Sequence, residues 1–281
     1  MTSPTTAARP ATDPSTLAER LTLADPVAAA DRRAIRVVRA PGRVNLIGEH
    51  TDYNEGFVLP IAIDRAISIA LVPTTDRRVT LTLAEDGDHA EFDLDAIGPR
   101  RGAWIDYVAG TAWAMQAEGL PVRGFRGLLA SDLPREAGLS SSAALELASA
   151  LALSPAEEPP VDRMALARLA QRAENDHVGV QCGLMDQFAS SHGVEGAALL
   201  LDCRSLAFRA VPVRLDAVAL VVSHSGSSRS LDGSAYNERR AQCEAAVTRI
   251  ARSHPAVRSL RDVPPALLDQ VAGDLDPVLA R

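Results

Sequence analysis

The sequence contains no lysine, because all 29 of its basic residues are arginine. A phosphate-binding loop of the Walker A type places a lysine on the phosphates, so the absence excludes a P-loop kinase or ATPase. It also excludes an enzyme that forms a Schiff base through a lysine amine. Any triphosphate site in this chain therefore has to be built without lysine.

Cysteine is scarce, and the three that occur, Cys182, Cys203 and Cys243, are widely spaced. This fits neither a disulfide framework nor a zinc site, so we expect a reducing, cytoplasmic location. No apolar run approaches the roughly 18 residues of a membrane span, so we expect no membrane partner. The first 15 residues lack the apolar segment of a signal peptide and predict a disordered leader. The net charge of −7 argues against nucleic acid as a partner.

Apolar residues make up 47% of the 281 residues, enough for a sizeable core. Their periodicity predicts a mixture of helices and strands, with two halves that meet near residues 205–215. The predicted strands are 35–38, 57–72 (broken only by Asp64 and Arg65), 78–83, 90–94, 125–129, 197–202, 207–211 and 215–223. The predicted helices are 16–33, 104–117, the run after Ser142, 164–174, 184–191, 237–252 and 260–281, with a loop at 175–183.

Residues 39–56 form a polar stretch between two strand-like segments. Three glycines allow the backbone to turn sharply there or to approach a ligand closely. The stretch predicts the polar edge of a pocket for a hydroxyl-rich ligand. Its candidate binding side chains are Arg43, Glu49, His50, Asp52 and Asn54.

A second candidate site is the loop 138–142, in which Gly138 and three serines lead into a helix-forming run. Free backbone amides and hydroxyls at the positive end of a helix bind anions such as phosphates. An ordinary serine cap of the helix is the alternative, although a cap uses only one hydroxyl.

Three further residues each have a chemical and a structural interpretation. Asp186 could accept a proton from a substrate hydroxyl, or it could cap a helix. Glu174 could bind Mg²⁺, which is commonly held by one or two carboxylates together with phosphates, or it could be a solvated glutamate near a helix end. Tyr236 could contact a ligand, or it could pack at the start of a helix.

Five segments of the sequence together resemble one family. Residues 42–56 resemble the galactokinase signature, and residues 138–144 resemble the phosphate-binding motif of the wider GHMP small-molecule kinases. Segments 182–188, 200–206 and 234–240 are also similar to galactokinases. The resemblance implies an α+β, two-domain GHMP kinase fold, with a ribosomal protein S5 domain 2-like N-terminal domain and a ferredoxin-like C-terminal domain.

The resemblance also implies a reaction and a role for each matching residue. The reaction is transfer of a phosphoryl group from Mg·ATP to the anomeric hydroxyl of α-D-galactose by a monomeric enzyme. Asp186 would be the catalytic carboxylate and Arg43 its charged partner, while Trp104 would line the adenine pocket. The sugar would be held by Glu49, His50, Asp52, Gly183 and Tyr236, the phosphates by Gly138, Leu139, Ser140, Ser141 and Ser142, and the Mg²⁺ ion by Ser142 and Glu174.

The sequence departs from the family pattern in several places. It ends at Arg281 before a third, glycine-rich motif, so we expect an N-terminal galactose- and ATP-binding domain at 16–210 and an incomplete C-terminal domain at 211–281. Glu136, His224 and Arg229 replace residues expected in the family. A fragment of a galactokinase, a non-catalytic galactose and ATP sensor, and a kinase for a related sugar such as N-acetylgalactosamine all stay open at this point.

Overall fold

The computed structural model describes residues 11–134, 137–155, 161–214, 219–223 and 234–280. The helices are α1 (Pro14–Ala24), α2 (Pro26–Ala30), α3 (Ile105–Ala117), α4 (Ser141–Leu153), α5 (Arg163–Arg172), α6 (Met185–His192), α7 (Ser234–Ala251) and α8 (Pro265–Val271). The strands are β1 (Arg36–Asn45), β2 (Phe57–Val58), β3 (Pro60–Pro73), β4 (Arg78–Leu83), β5 (His89–Asp93), β6 (Phe125–Ser131), β7 (Ala197–Asp202) and β8 (Phe208–Pro212).

The strands form two sheets. The larger sheet has the order β1-β3-β6-β4-β5, in which β4 and β6 are parallel and the other neighbours are antiparallel. The smaller sheet has the order β2-β7-β8 and is antiparallel throughout. This mixture of sheets and helices agrees with the predicted α+β class.

Strand β3 is buried on both faces from Ala66 to Val72, which explains the nearly continuous apolar sequence of that part. Ile67, Ile69 and Leu71 point into the main core with α3, α4 and α5. Ala70 and Val72 point the other way, into a second core with α1 and α2. Because side chains alternate along a strand, one apolar run supplies both cores.

The described residues form two further, smaller cores. Met185 and Phe188 of α6 pack with Leu199 and Leu201 of β7, which fixes α6 against the smaller sheet. Residues of α7 and α8 and the segments that follow them form the fourth core, which is centred on Ile250. Among the described residues, no helix is long and apolar enough to cross a bilayer.

The predicted leader and first helix need correction. Within the predicted leader, Thr12 is buried, its hydroxyl donates to the Asp132 carboxylate over 2.9 Å, and α1 begins at Pro14, while residues 1–10 lie outside the described part of the chain. The predicted helix at 16–33 is divided into α1, α2 and a 3₁₀ turn. The division falls at Asp25, whose carboxylate accepts from the backbone amides of Val27 and Ala28 and so caps a new helix.

The predicted strand at 57–72 also differs from the structure. It is not broken at Asp64 and Arg65, which lie in an irregular stretch of β3 opposite Gly42 of β1. The break comes at Leu59, because β2 pairs with β7 in the other sheet. Periodicity could not reveal this, since the partner strand is far away in the chain.

Smaller differences concern the second half. The predicted loop at 175–183 begins inside a π-helix at Ala173–Val178. Of the predicted strand at 215–223, residues 219–223 have no regular structure, and residues 215–218 lie outside the described part of the chain. The predicted helix at 260–281 is three short helices. The domain boundary at 210 stays a prediction and falls within β8. Glu136, His224 and Arg229 lie outside the described residues.

Candidate active site

The polar stretch predicted at 39–56 starts in the last residues of β1 and continues as a tight loop. Gly48 has φ of +106°, and a Cβ atom there would lie 2.4 Å from the backbone oxygen of Phe57, so only glycine fits. His50 also adopts a left-handed conformation, with φ of +62°, which is unusual for a residue with a side chain. Strained backbone of this kind often occurs at ligand sites.

Arg43 joins two parts of the site. Its Nε and Nη2 atoms lie 2.7 and 2.6 Å from Oδ1 of Asp186, and its Nη1 donates to the backbone oxygen of Gly138 over 2.7 Å. Asp186 lies in the first turn of α6, but it does not cap that helix. The structural alternative for Asp186 is therefore wrong, and its carboxylate is held by the arginine.

Asp52 lies against Gly183, and Gly183 precedes Asp186 by three residues in the chain. A Cβ atom on Gly183 would lie only 2.0 Å from Oδ2 of Asp52, so the close approach requires glycine. Burial, and next the negative charge of Asp186, raise the pKa of Asp52 to about 6. Asp52 at Gly183 is thus close enough to Asp186, the partner of Arg43, for their charges to interact.

Three aromatic rings lie beside these carboxylates. The His50 ring centre is 5.8 Å from that of Tyr53 and 5.7 Å from that of Tyr236, and the two tyrosine rings are 5.5 Å apart. The Tyr53 hydroxyl and Nδ1 of His50 are 2.7 Å apart, and the amide of Gly183 donates to the Tyr236 hydroxyl over 3.4 Å. Tyr236, from α7, therefore closes the group formed by residues far earlier in the chain.

Glu49 and Trp104 lie apart from this group in the contacts that are described. Glu49 is exposed, and its carboxylate accepts from the side-chain amide of Asn45 over 2.9 Å. The indole Nε1 of Trp104 donates to Asp88 over 2.7 Å. The predicted roles of Glu49 in sugar binding and of Trp104 in adenine binding stay predictions.

The serine-rich loop leads into α4 without a side-chain cap. Gly138 and Ser140 both have positive φ, +70° and +58°. The side chain of the cap residue Ser140 makes no hydrogen bond to the first turn of α4, which also contains no acidic residue. The alternative of an ordinary serine cap is therefore wrong. The first-turn amides receive no side-chain cap, and the buried Ser140 hydroxyl has no hydrogen-bond partner among the described residues.

Leu139 contributes to this loop in a different way from the serines. Its side chain belongs to the main core, and its backbone oxygen accepts from the amide of Arg43 over 3.2 Å. Packing and backbone pairing thus fix the loop beside β1. A bound phosphate would meet the backbone of Leu139 rather than its side chain.

Glu174 lies at the start of the π-helix and is only 5% exposed, so the solvated alternative is wrong. Its Oε2 accepts from Nε2 of Gln187 over 2.7 Å and from the thiol of Cys182 over 3.3 Å. Burial, and next the charge of Asp186, raise the pKa of Glu174, while a hydrogen bond from the Ser142 hydroxyl lowers it. The two predicted metal ligands are thus neighbours.

Glu146 and Gln187 lie beside Glu174 and were not among the residues predicted from the sequence. Both are fully buried, and Nε2 of Gln187 donates to Glu146 over 3.1 Å as well as to Glu174. Burial, and next the charge of Glu174, raise the pKa of Glu146. The available signal was Glu146 itself, a carboxylate in the middle of an apolar helix, where an unpaired charge is rare.

Two family models and several curated proteins match this chain. Residues 28–73 match a family model described as the galactokinase galactose-binding signature, and residues 106–194 match that of the GHMP kinase N-terminal domain. Curated galactokinases from Roseiflexus sp. (strain RS-1) and Chloroflexus aggregans are 50% and 46% identical over 227 and 229 residues. Each alignment covers 81% of this chain and 58% of the relative, so the chain spans less than two thirds of those proteins.

A solved galactokinase structure also matches this chain. The structure of Lactococcus lactis galactokinase complexed with galactose matches with a TM-score of 0.82 and 32% identity, covering 93% of this chain and 69% of that one. The mevalonate kinase of Methanococcus jannaschii, with a TM-score of 0.54 and 20% identity, shares the fold. These matches confirm the predicted α+β GHMP kinase fold. The chain belongs to the galactokinase family of the GHMP kinases.

Proposed function

We propose that this chain phosphorylates the anomeric hydroxyl of α-D-galactose with ATP. The observation that carries the proposal is the three-point contact of Arg43, which joins the carboxylate of Asp186 to the loop at Gly138. It holds a proton acceptor beside a phosphate-binding loop, as phosphoryl transfer to a hydroxyl requires. The likeness to galactokinases, one of them complexed with galactose, supports galactose as the sugar.

The sugar would bind between Asp52, His50 and Tyr236. A carboxylate held in place by burial and by Gly183 accepts a hydrogen bond from one hydroxyl of fixed orientation. An epimer that carries this hydroxyl in the opposite orientation would leave the half-buried carboxylate unpaired, which is strongly unfavourable. The aromatic rings would meet the apolar face of the sugar. This arrangement favours galactose over its epimers.

Asp186 would act on the reacting hydroxyl. It accepts the hydroxyl proton as the sugar oxygen forms a bond to the γ-phosphorus and the bond to the ADP oxygen breaks. Arg43 holds the carboxylate in position and stabilises its negative charge through two contacts to Oδ1. General base catalysis of this kind contributes about 10²–10⁴ to the rate, and positioning contributes much of the rest.

The phosphates of ATP would lie on the loop 138–142 and the first turn of α4. The amides of this turn, which receive no side-chain cap, and the buried hydroxyl of Ser140 offer donors without a lysine. The oxygen atoms of Ser142 and Glu174 fit Mg²⁺, which takes few protein ligands and keeps several waters or phosphate oxygens. When bound, Mg²⁺ would neutralise charge on the β- and γ-phosphates.

A coupled assay of ADP release tests the proposal on this chain. Galactose with Mg·ATP should give ADP well above the background without sugar, while glucose and N-acetylgalactosamine should give little. A preference for N-acetylgalactosamine would assign the chain to another sugar. Galactose binding by calorimetry without ADP release would instead indicate a sensor that binds without turnover. The cytoplasmic location and the monomeric state remain predictions of the family resemblance and composition.

A further inference from the structure

The first turn of α7 is bound to the loop 179–183, which follows the π-helix and precedes α6. The side-chain amide of Asn237 makes two contacts with this loop. Its Oδ1 accepts from the amide of Gln181 over 2.8 Å, and its Nδ2 donates to the backbone oxygen of Gly179 over 3.0 Å. One side chain thus satisfies a donor and an acceptor of the loop backbone, as a paired strand would.

Arg240, one turn further along α7, binds the same loop. Its Nη1 donates to the backbone oxygens of Gln181 and Cys182 over 2.8 and 3.4 Å. Both polar groups of the Gln181 backbone are therefore bound by side chains of α7. The guanidinium also lies 6.0 Å from the centre of the Tyr53 ring, so Arg240 contacts the aromatic group as well.

The choice of asparagine at this position is itself informative. Asn237 is the fourth residue of α7, inside the helix, where asparagine is less favourable than alanine or glutamine. Packing of the helix alone would not require a side-chain amide there. The two backbone contacts supply a reason for it.

The loop held in this way leads directly to the sugar site. Gly183 follows two residues after Gln181, touches Asp52, and donates its amide to the hydroxyl of Tyr236. Tyr236 is in turn the neighbour of Asn237 in the chain. The asparagine therefore fixes the two sides of the site relative to each other: the tyrosine on α7, and the glycine on the loop.

We propose that Asn237 is a positioning residue that sets the distance between Tyr236 and Gly183, and so the affinity for the sugar. It acts through these two residues and need not touch the sugar. The inference rests on the proposed function, because the ligand of the site is taken to be galactose.

The test uses Asn237→Ala in the full chain, with Glu238→Ala as the matched control. Glu238 is the next residue on α7 and is exposed. We expect Asn237→Ala to weaken galactose binding in calorimetry about tenfold or more, because the loop that carries Gly183 loses two of its hydrogen bonds to α7. Binding of ATP should change less than about twofold. The control should leave both affinities unchanged.

A second variant, Asn237→Asp, keeps the acceptor for the Gln181 amide but places a carboxylate against the backbone oxygen of Gly179. It should weaken galactose binding while the thermal unfolding temperature stays close to that of the control. Equal galactose affinity in both asparagine variants and the control would overturn the inference. So would an equal loss of galactose and ATP affinity, because that pattern indicates general destabilisation.

Amide hydrogen exchange of Gln181 separates this inference from the proposed function. The amide should exchange faster in Asn237→Ala than in the control, whatever ligand the site binds. If the unsubstituted chain does not bind galactose, the proposed function fails, and the exchange rate alone decides whether Asn237 holds the loop. An unchanged exchange rate would show that it does not.

Discussion

Arg43 and Asp186 are 143 residues apart in the chain, and their side chains meet through two contacts to a single carboxylate oxygen. The third contact of the same guanidinium, to the backbone of Gly138, connects this pair to the loop before α4. One planar group therefore sets the position of the carboxylate relative to the loop before α4. Arginine is suited to this because its donors are fixed in a rigid fork.

Replacing Arg43 by lysine tests the importance of that fork. An ammonium group keeps the positive charge but cannot make the three contacts with the same geometry. We expect the turnover number for galactose phosphorylation to fall about a hundredfold, because small errors in position have effects of that size. The chain should still fold, as judged by circular dichroism. Turnover within about twofold of the original would show that charge alone suffices.

Gly183→Ala tests the close approach of Asp52. The added methyl group would overlap the carboxylate, and overpacking of this kind commonly costs about 1–3 kcal/mol. Galactose affinity should fall at least about tenfold. Gly98→Ala is a matched control, since Gly98 is exposed and nothing lies within 4 Å of a Cβ there. Similar galactose affinities for the two variants would contradict the assignment of Asp52 and Gly183 to the sugar site.

Galactose affinity should depend on pH through Asp52. Its pKa is raised to about 6 by burial and by Asp186, so the carboxylate is mostly ionised at pH 7 and mostly protonated at pH 5. If only the ionised form accepts the sugar hydroxyl, affinity should fall about tenfold between these values. Calorimetry across this range measures the effect. A pH dependence that persists in Asp52→Asn would assign the titration to another group.

The buried Glu146 should make stability depend on pH. Its folded-state pKa is raised by burial and by Glu174, so the folded state holds more protons than the unfolded state above the ordinary pKa of glutamate. The free energy of unfolding should therefore decrease as the pH rises through the folded-state pKa. In Glu146→Gln, the free energy of unfolding should depend less on pH, and at low pH it should equal that of the original protein. If urea unfolding gives the same pH dependence of the free energy of unfolding for both proteins, Glu146 contributes nothing to that dependence.

Regular elements with strong alternation could be predicted from the sequence alone. The bounds predicted for β4 are those of the structure, because its buried side chains alternate with more exposed ones. The bounds predicted for β7 are also those of the structure, although its first three residues are all buried. The division of residues 57–73 between two sheets could not be predicted, because it depends on β7, whose pairing with Phe57 and Val58 spans more than a hundred residues of chain.

The candidate site was predicted in part. Residue patterns indicated the stretch 39–56 and the loop 138–142, whereas the pairing of Arg43 with Asp186 came only from the family resemblance. The pairing of Arg43 with Asp186 leaves no local pattern, since it is created by the packing of α6 against β1. Gln187 was missed because an amide beside an acidic residue has no distinctive spacing. Its role is visible only when α4, α6 and the π-helix come together around it.

Formation of galactose 1-phosphate by the original chain and by Asp186→Asn is the most direct test of the account. The asparagine is nearly the same size but cannot take the proton of the sugar hydroxyl. Phosphorus NMR should detect galactose 1-phosphate from galactose and Mg·ATP with the original chain, and a rate lower by about 10²–10⁴ with the variant. Calorimetry should show that the variant still binds galactose. Equal rates of galactose 1-phosphate formation by the two proteins would contradict the account.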